Sequence, residues 1–197
     1  MEFKDKRVIV TAGAGGIGRE ITRLFVEAGA KVFICDIDDT ALENTLSSFD
    51  NVAGARVDVS DPDQFKSFFN KADQYLGGLD IMINNAGTAG PTALIEDISL
   101  EEWNNCVNIN LTSAFLLSKY SIPLMKKSLI PRIIFTSSSV AKQGKAYWGA
   151  YSASKAAVKV LSEIISDELE SISKFKIFNF DPKATQTNMR SLAYPAE

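Results

Sequence analysis

The chain has 197 residues, 46% of them hydrophobic and 23% charged, with a net charge of −3 at pH 7. That length suits about one domain, spanning residues 1–197, and no basic block invites a phosphate backbone, so nucleic acid is not expected as a partner. There is no histidine, which excludes a Ser-His-Asp triad, a Cys-His pair and any His-ligated zinc site. Acid–base work near neutral pH then falls to a carboxylate, lysine or tyrosine with a displaced pKa.

Cys35 and Cys106 are isolated, which suits a reducing cytoplasm rather than a disulfide framework. The N-terminus, MEFKDKRVIVT, lacks the apolar core and cleavage site of a signal peptide. No apolar stretch approaches bilayer length, so no membrane association is expected.

The first predicted strand is RVIVT (7–11), followed by a helical period running through Ala28. Between them lies TAGAGGIG (11–18), which reads in two registers. Gly13, Gly15 and Gly18 fit G-x-G-x-x-G. Shifted by one, Gly16 and Gly18 close a T-G-x-x-x-G-x-G loop in which Ala12 takes the place of the first glycine. Either register puts glycines between a strand and a helix, where a pyrophosphate meets backbone N–H groups and the positive end of the helix dipole.

The second strand, KVFICD (31–36), ends on Asp36 with Ile37 after it. An acid about 20 residues beyond the loop is placed to bind adenosine ribose hydroxyls and to repel a 2′-phosphate, which favours NAD over NADP. The absence of a lysine followed by serine or threonine argues against a phosphate-loop NTPase.

GARVDV (54–59) is the third predicted strand, with a helix near 62–76 and LDIMIN (79–84) as the fourth. Ser99 and Glu102 form a capping box that opens the next helix. RIIFTSS (132–138) is the fifth strand, a helix runs from Ala153 to Leu169, and KIFNF (176–180) is the sixth. The strands are apolar runs rather than alternations, as in a sheet covered on both faces. Their regular exchange with helices implies an α/β, doubly wound parallel sheet.

Three further stretches carry chemistry: Asn84-Asn85-Ala86-Gly87 after the fourth strand, Ser138 after the fifth, and Tyr151-Ser-Ala-Ser-Lys155. Together with the glycine loop, in this order and spacing, they make the chain resemble the short-chain dehydrogenase/reductase family from about Lys4 to Met189. The resemblance implies a Rossmann-like sheet of order 3-2-1-4-5-6 with the usual seventh strand missing. It also selects the T-G-x-x-x-G-I-G register, matched by Thr11, Gly16, Ile17 and Gly18, with Gly13 and Gly15 easing the approach of backbone to pyrophosphate. Ala12 is comfortable there only at negative φ.

By the same resemblance, Asp58 and Val59 hold the adenine and Asn85, Ala86 and Gly87 line the cofactor. Pro182, Thr185 and Thr187 lie beside the nicotinamide, in a P-G-x-x-x-T segment where Lys183 replaces glycine. Lysine there either crowds the loop or reaches the pyrophosphate.

Hydride transfer needs a group that exchanges a proton with the substrate oxygen. Tyr151 is assigned that role by resemblance, with Lys155 one helical turn on and on the same face. Ser138, rather than its neighbours Ser137 and Ser139, is to hydrogen-bond the substrate oxygen. Asn110, rather than Asn108, matches the asparagine whose helix kink holds a water in a proton relay to Lys155. Tyr151 and Lys155 are also expected to touch the cofactor.

The implied activity is NAD(P)-dependent interconversion of a secondary alcohol and a ketone, on a small-molecule substrate. Residues 141–148 (AKQGKAYW) form the expected substrate wall through Tyr147 and Trp148. The stripe Val158, Leu161, Ile164, Ile165 and Leu169 suits either the core or a two-fold pairing of helices, and a homodimer or homotetramer is implied. Family members continue for roughly 40 more residues of lid helices and a final strand. Two explanations stand: a shortened chain, or a minimal member that closes its site through a partner subunit. The rival reading is a non-catalytic nucleotide-binding regulatory or scaffold relative.

Overall fold

Apolar β-rich runs become six strands: β1 (Arg7–Thr11), β2 (Lys31–Asp36), β3 (Val52–Arg56), β4 (Ile81–Asn84), β5 (Arg132–Thr136) and β6 (Lys176–Phe180). The computed structural model describes residues 3–171 and 174–187. In it the strands pair in parallel in the order β3-β2-β1-β4-β5-β6. The helices are α1 (Gly16–Glu27), α2 (Asp39–Ser48), α3 (Gln64–Leu76), α4 (Leu100–Val107), α5 (Ser113–Met125) and α6 (Gly149–Glu170).

The two sides of each central strand enter different cores, which is why its residues are apolar without alternation. Ile9, Phe33, Met82, Ile133 and Phe135 pack with Phe65, Phe68 and Leu117 on one face. Val8, Val10, Val32, Ile34, Ile81 and Ile83 build the other. Each such side chain contributes about 1.5–3 kcal/mol of burial. One partly buried ion pair ties the start of β1 to the residue before β4: Arg7 donates to both oxygens of Asp80 at 2.8–2.9 Å, and Ser128 donates to Asp80 at 2.5 Å.

Four boundaries depart from the sequence-based expectation. The third strand sits at Val52–Arg56, so Asp58 and Val59 belong to the loop after it. The fourth and fifth strands are shorter than expected, which leaves Ser137 and Ser138 beyond the strand end. The last helix starts at Gly149, not Ala153, and Tyr151 is in its first turn. The Ser99–Glu102 capping box is present in both its bonds.

The α6 stripe divides. Val158, Ile165 and Leu169 are buried in the chain's own core, whereas Ile164 is half exposed. Residues 188–197, including Met189, lie outside the described residues.

Candidate active site

Because all six strands are parallel, the loops that follow them gather at one end of the sheet. There a cavity of about 690 Å³ opens, lined by the glycine loop, Asp36, Asn85, Gly87, residues 136–140, Lys145, Trp148, Tyr151, Lys155 and residues 181–187.

The first wall is the turn from β1 into α1. Gly13 N–H donates to the Cys35 carbonyl at 3.0 Å, and Ala14 N–H donates to the Asp36 carboxylate at 3.1 Å. Asp36 also accepts from the N–H of Ile37 at 2.9 Å, so the acid is fixed at the tip of β2. Glycine at 18 is required by contact: a Cβ there would lie 1.8 Å from the Ala12 carbonyl oxygen.

Ala12 overturns one expectation, since its φ is 48° rather than negative. The close packing of Gly18 on its carbonyl and the bond from Asn85 Nδ2 at 3.4 Å hold it there. Gly16 has φ 47°, and α1 begins at that residue with no acidic side chain in its first turn. The start of α1 therefore presents its positive dipole end to the cavity with no acid of its own first turn to offset it.

The floor joins β1 to β4. Thr11 is fully buried, and its hydroxyl accepts from the N–H groups of Asn85 and Ala86, both at 3.0 Å, while donating to the Ile83 carbonyl. Thr11 thus shapes the floor without lining the cavity. Asn85 Oδ1 accepts from the Thr136 hydroxyl at 3.1 Å, which ties the floor to β5.

Asn110 lies in a π turn, Asn108–Thr112, between α4 and α5, where Ser113 N–H bonds back five residues to the Asn108 carbonyl. Buried and away from the cavity lining, it accepts from Thr88 N–H at 2.8 Å and donates to the Thr88 carbonyl and the Ser154 hydroxyl, both at 2.9 Å. A Cβ at Gly87 would come 3.1 Å from Asn110 Oδ1 and 3.5 Å from Lys155 Nζ. Glycine at that position lets the asparagine and the lysine close on the floor.

Lys155 is buried, and its ammonium donates to the Thr136 carbonyl at 2.8 Å. Burial pushes its pKa down to about 8. The ammonium lies 5.8 Å from the centre of the Tyr151 ring. Burial raises the Tyr151 phenol, a hydrogen bond with Ser138 pulls it down, and the nearby Asp181 charge raises it again. Of the three serines in the cavity wall, Ser138 is therefore the one bonded to the tyrosine.

Trp148 packs against Tyr151 with ring centres 5.5 Å apart and lines the cavity. Tyr147 is half exposed and is not in that lining, so half of the expected aromatic wall is present. Asp58 bonds Ser60 within its own loop, and Asp58, Val59 and Ile37 lie outside the lining. Pro182, Thr185 and Thr187 line it.

Sequence reading missed four participants. Thr88 meets Asn110 through its backbone N–H and carbonyl, and Thr136 meets Lys155 through its backbone carbonyl, groups that residue identity does not reveal. Ser154 sits inside the Tyr151–Lys155 stretch, where spacing does not distinguish it from Ser152; the fold sets its hydroxyl against Asn110. Asp181 immediately precedes Pro182, and only folding brings its charge to Tyr151.

This is the arrangement of a dinucleotide-dependent oxidoreductase. The residues fit such a cofactor on their own terms: an acid-free helix start, a close-packed glycine turn, an anchored carboxylate at the second strand and a cavity within the 300–1,000 Å³ of ligand sites.

The family model for short chain dehydrogenases matches residues 6–197, and the chain belongs to that family. The chain is 28% identical over 202 residues to the oxidoreductase YciK of Escherichia coli, covering 99% of this chain and 79% of that protein. To a short chain dehydrogenase/reductase (dpchG) of Colletotrichum higginsianum it is 36% identical over 156 residues, covering 76% of this chain but 58% of that one. A short chain dehydrogenase from Shigella flexneri, solved in complex with NADP, superposes with a TM-score of 0.93 at 28% identity, covering 98% of this chain and 83% of that one. NAD(P)-dependent oxidoreduction is the activity of the family. Among the described residues, no helix is long and apolar enough to cross a membrane.

Proposed function

We propose that the chain interconverts a secondary alcohol and a ketone, with Tyr151 exchanging the proton. The observation that carries this reading is that Ser138, Tyr151 and Lys155 share one cavity with an anchored glycine turn. The residues named from the sequence act together in this reading, and residues 1–197 work as one catalytic and cofactor-binding unit.

When bound, the dinucleotide supplies or accepts the hydride. The glycine turn and the start of α1 hold its phosphates, and Asp36 takes the adenosine ribose. Ser138 orients the substrate oxygen and stabilises charge that develops on it. The Tyr151 phenol exchanges its proton with that oxygen, donating when a ketone is reduced and accepting when an alcohol is oxidised. Lys155, held by Thr136, supplies positive charge to the phenolate that remains. Asn110 fixes the π turn against α6 through Ser154. Trp148 offers an apolar wall to the substrate.

NAD is preferred over NADP in this reading because a 2′-phosphate would meet the Asp36 carboxylate. The supporting geometry is the pair of bonds from Ala14 and Ile37 that hold that carboxylate in place. Homodimer or homotetramer assembly in the cytoplasm completes the proposal; Val160, Ile164 and Phe115 are half-exposed apolar side chains available on α6 and α5.

The test is titration with NADH and with NADPH, read by nicotinamide fluorescence, followed by a ketone screen on the parent and on Tyr151→Phe. Tighter NADH binding and a turnover lost in Tyr151→Phe are expected. A non-catalytic nucleotide-binding scaffold is the rival reading, favoured by the left-handed Ala12 and Lys183 at the cavity rim. It prevails if NADH binds and the two proteins are indistinguishable in turnover.

A further inference from the structure

We infer that Lys183 is a cofactor-binding residue whose ammonium leaves Asp181 to pair with the dinucleotide pyrophosphate. This rests on the cofactor reading above and goes beyond it, because it gives one residue a partner exchange.

Position comes first. Lys183 lines the same cavity as Gly15 and Gly16. The segment that carries it faces the glycine turn closely: the Thr187 side chain lies 3.6 Å from where a Cβ on Gly16 would be. The 181–187 loop is therefore the wall opposite the anion-binding turn.

Next is the contrast between a fixed stem and a loose head. Lys183 N–H donates to Asp181 Oδ1 at 2.9 Å, and the Thr185 hydroxyl closes the turn on the Pro182 carbonyl at 2.8 Å. The backbone is thereby set. The side chain is 81% exposed, and its ammonium meets Asp181 Oδ2 only at 3.3 Å. An ion pair that open to water stabilises little, so giving it up costs little.

Charge supplies the reason to move. A pyrophosphate carries about two negative charges, while a helix start offers the equivalent of roughly half a positive one. Lys155 is buried against the Thr136 carbonyl and stays there. Lys183 is a cation on the facing wall with a weakly held partner. Its φ of 62° is a left-handed conformation that glycine would adopt without strain, and phosphate pairing accounts for a long cation at that position.

The test uses the full chain, calorimetry with ADP-ribose, and adenosine as a phosphate-free competitor. Lys183→Gln removes charge while keeping length and strain; Lys183→Arg keeps the charge. Lys183→Gln is expected to weaken ADP-ribose about 5- to 10-fold, a charge-assisted contact, to leave adenosine unchanged and to flatten the salt dependence. Lys183→Arg is expected to hold parental affinity. ADP-ribose binding by Lys183→Gln equal to the parent overturns the inference, as does an equal loss for adenosine. A parent chain that binds no ADP-ribose at all overturns the cofactor reading and this inference with it, an outcome distinct from either of the others.

Discussion

Ala12 and Lys183 stand near opposite ends of the chain, yet both line one cavity with left-handed backbone, φ 48° and 62°. Each occupies a position where the family resemblance expects glycine. The left-handed region costs an L-residue about 1–2 kcal/mol, and glycine's extra freedom in the unfolded chain takes back about 0.4–1 kcal/mol. Ala12→Gly and Lys183→Gly are each expected to stabilise the fold by about 0.5–1 kcal/mol, read as a higher urea midpoint at unchanged m. A lowered midpoint would show that these backbones are not strained.

Tyr151→Phe removes the exchangeable proton and leaves the ring packed on Trp148. Turnover is expected to fall by about 10²- to 10⁴-fold while NADH affinity holds. Parallel losses of binding and rate would instead point to a structural role for the hydroxyl.

The Lys155 ammonium gives a pH signature. Burial holds its folded pKa at about 8, below the ordinary 10.5. Between these values the unfolded chain keeps a proton that the folded chain has released. Stability therefore rises with pH through that window, by up to about 1.4 kcal/mol per unit, and below pH 8 the cost of the buried charge is present in full. Denaturation of the parent and Lys155→Met from pH 7 to 10.5 should show the rise in the parent alone. Turnover should decline above pH 8 as the ammonium is lost.

Asp80 behaves oppositely. Burial raises its carboxyl, but hydrogen bonds from Arg7 and Ser128 outweigh that and hold it at about 2, below the ordinary 3.8. Its stabilisation is complete above pH 4 and is lost as pH falls through 2. That shift corresponds to about 2 kcal/mol. Asp80→Asn is expected to cost about that much at pH 6, with the gap to the parent closing by pH 2. A gap that persists at pH 2 would mean that packing, not charge, sets the cost.

The parallel sheet was legible because Val, Ile and Phe runs exchange regularly with helical periods, whereas its strand order came from the family resemblance, since alternation alone does not order strands. Tyr151, Lys155 and Ser138 were legible through the family resemblance; helix geometry added only that Tyr151 and Lys155, four apart, share a face. Asp58 and Val59 were expected inside a strand because GARVDV is as apolar as VAGAR, and periodicity cannot choose between overlapping frames. The conformation of Ala12 was out of reach, since it is imposed by Gly18 and Asn85 pressing on its carbonyl. Asp181 stayed hidden because a charge acts through space, and the chain order of β6 and α6 says nothing of their distance.

The π turn at Asn108–Thr112 makes the site depend on arithmetic as well as chemistry. One surplus residue is housed between α4 and α5, and each residue in a helix turns the chain by about 100°. Deleting Ile109 would let the two helices fuse into a regular α-helix while swinging everything upstream around the axis. Asn110 would lose Thr88 and Ser154 without itself being replaced. The length of this stretch, rather than the identity of any one side chain within it, is thus a coding element of the site.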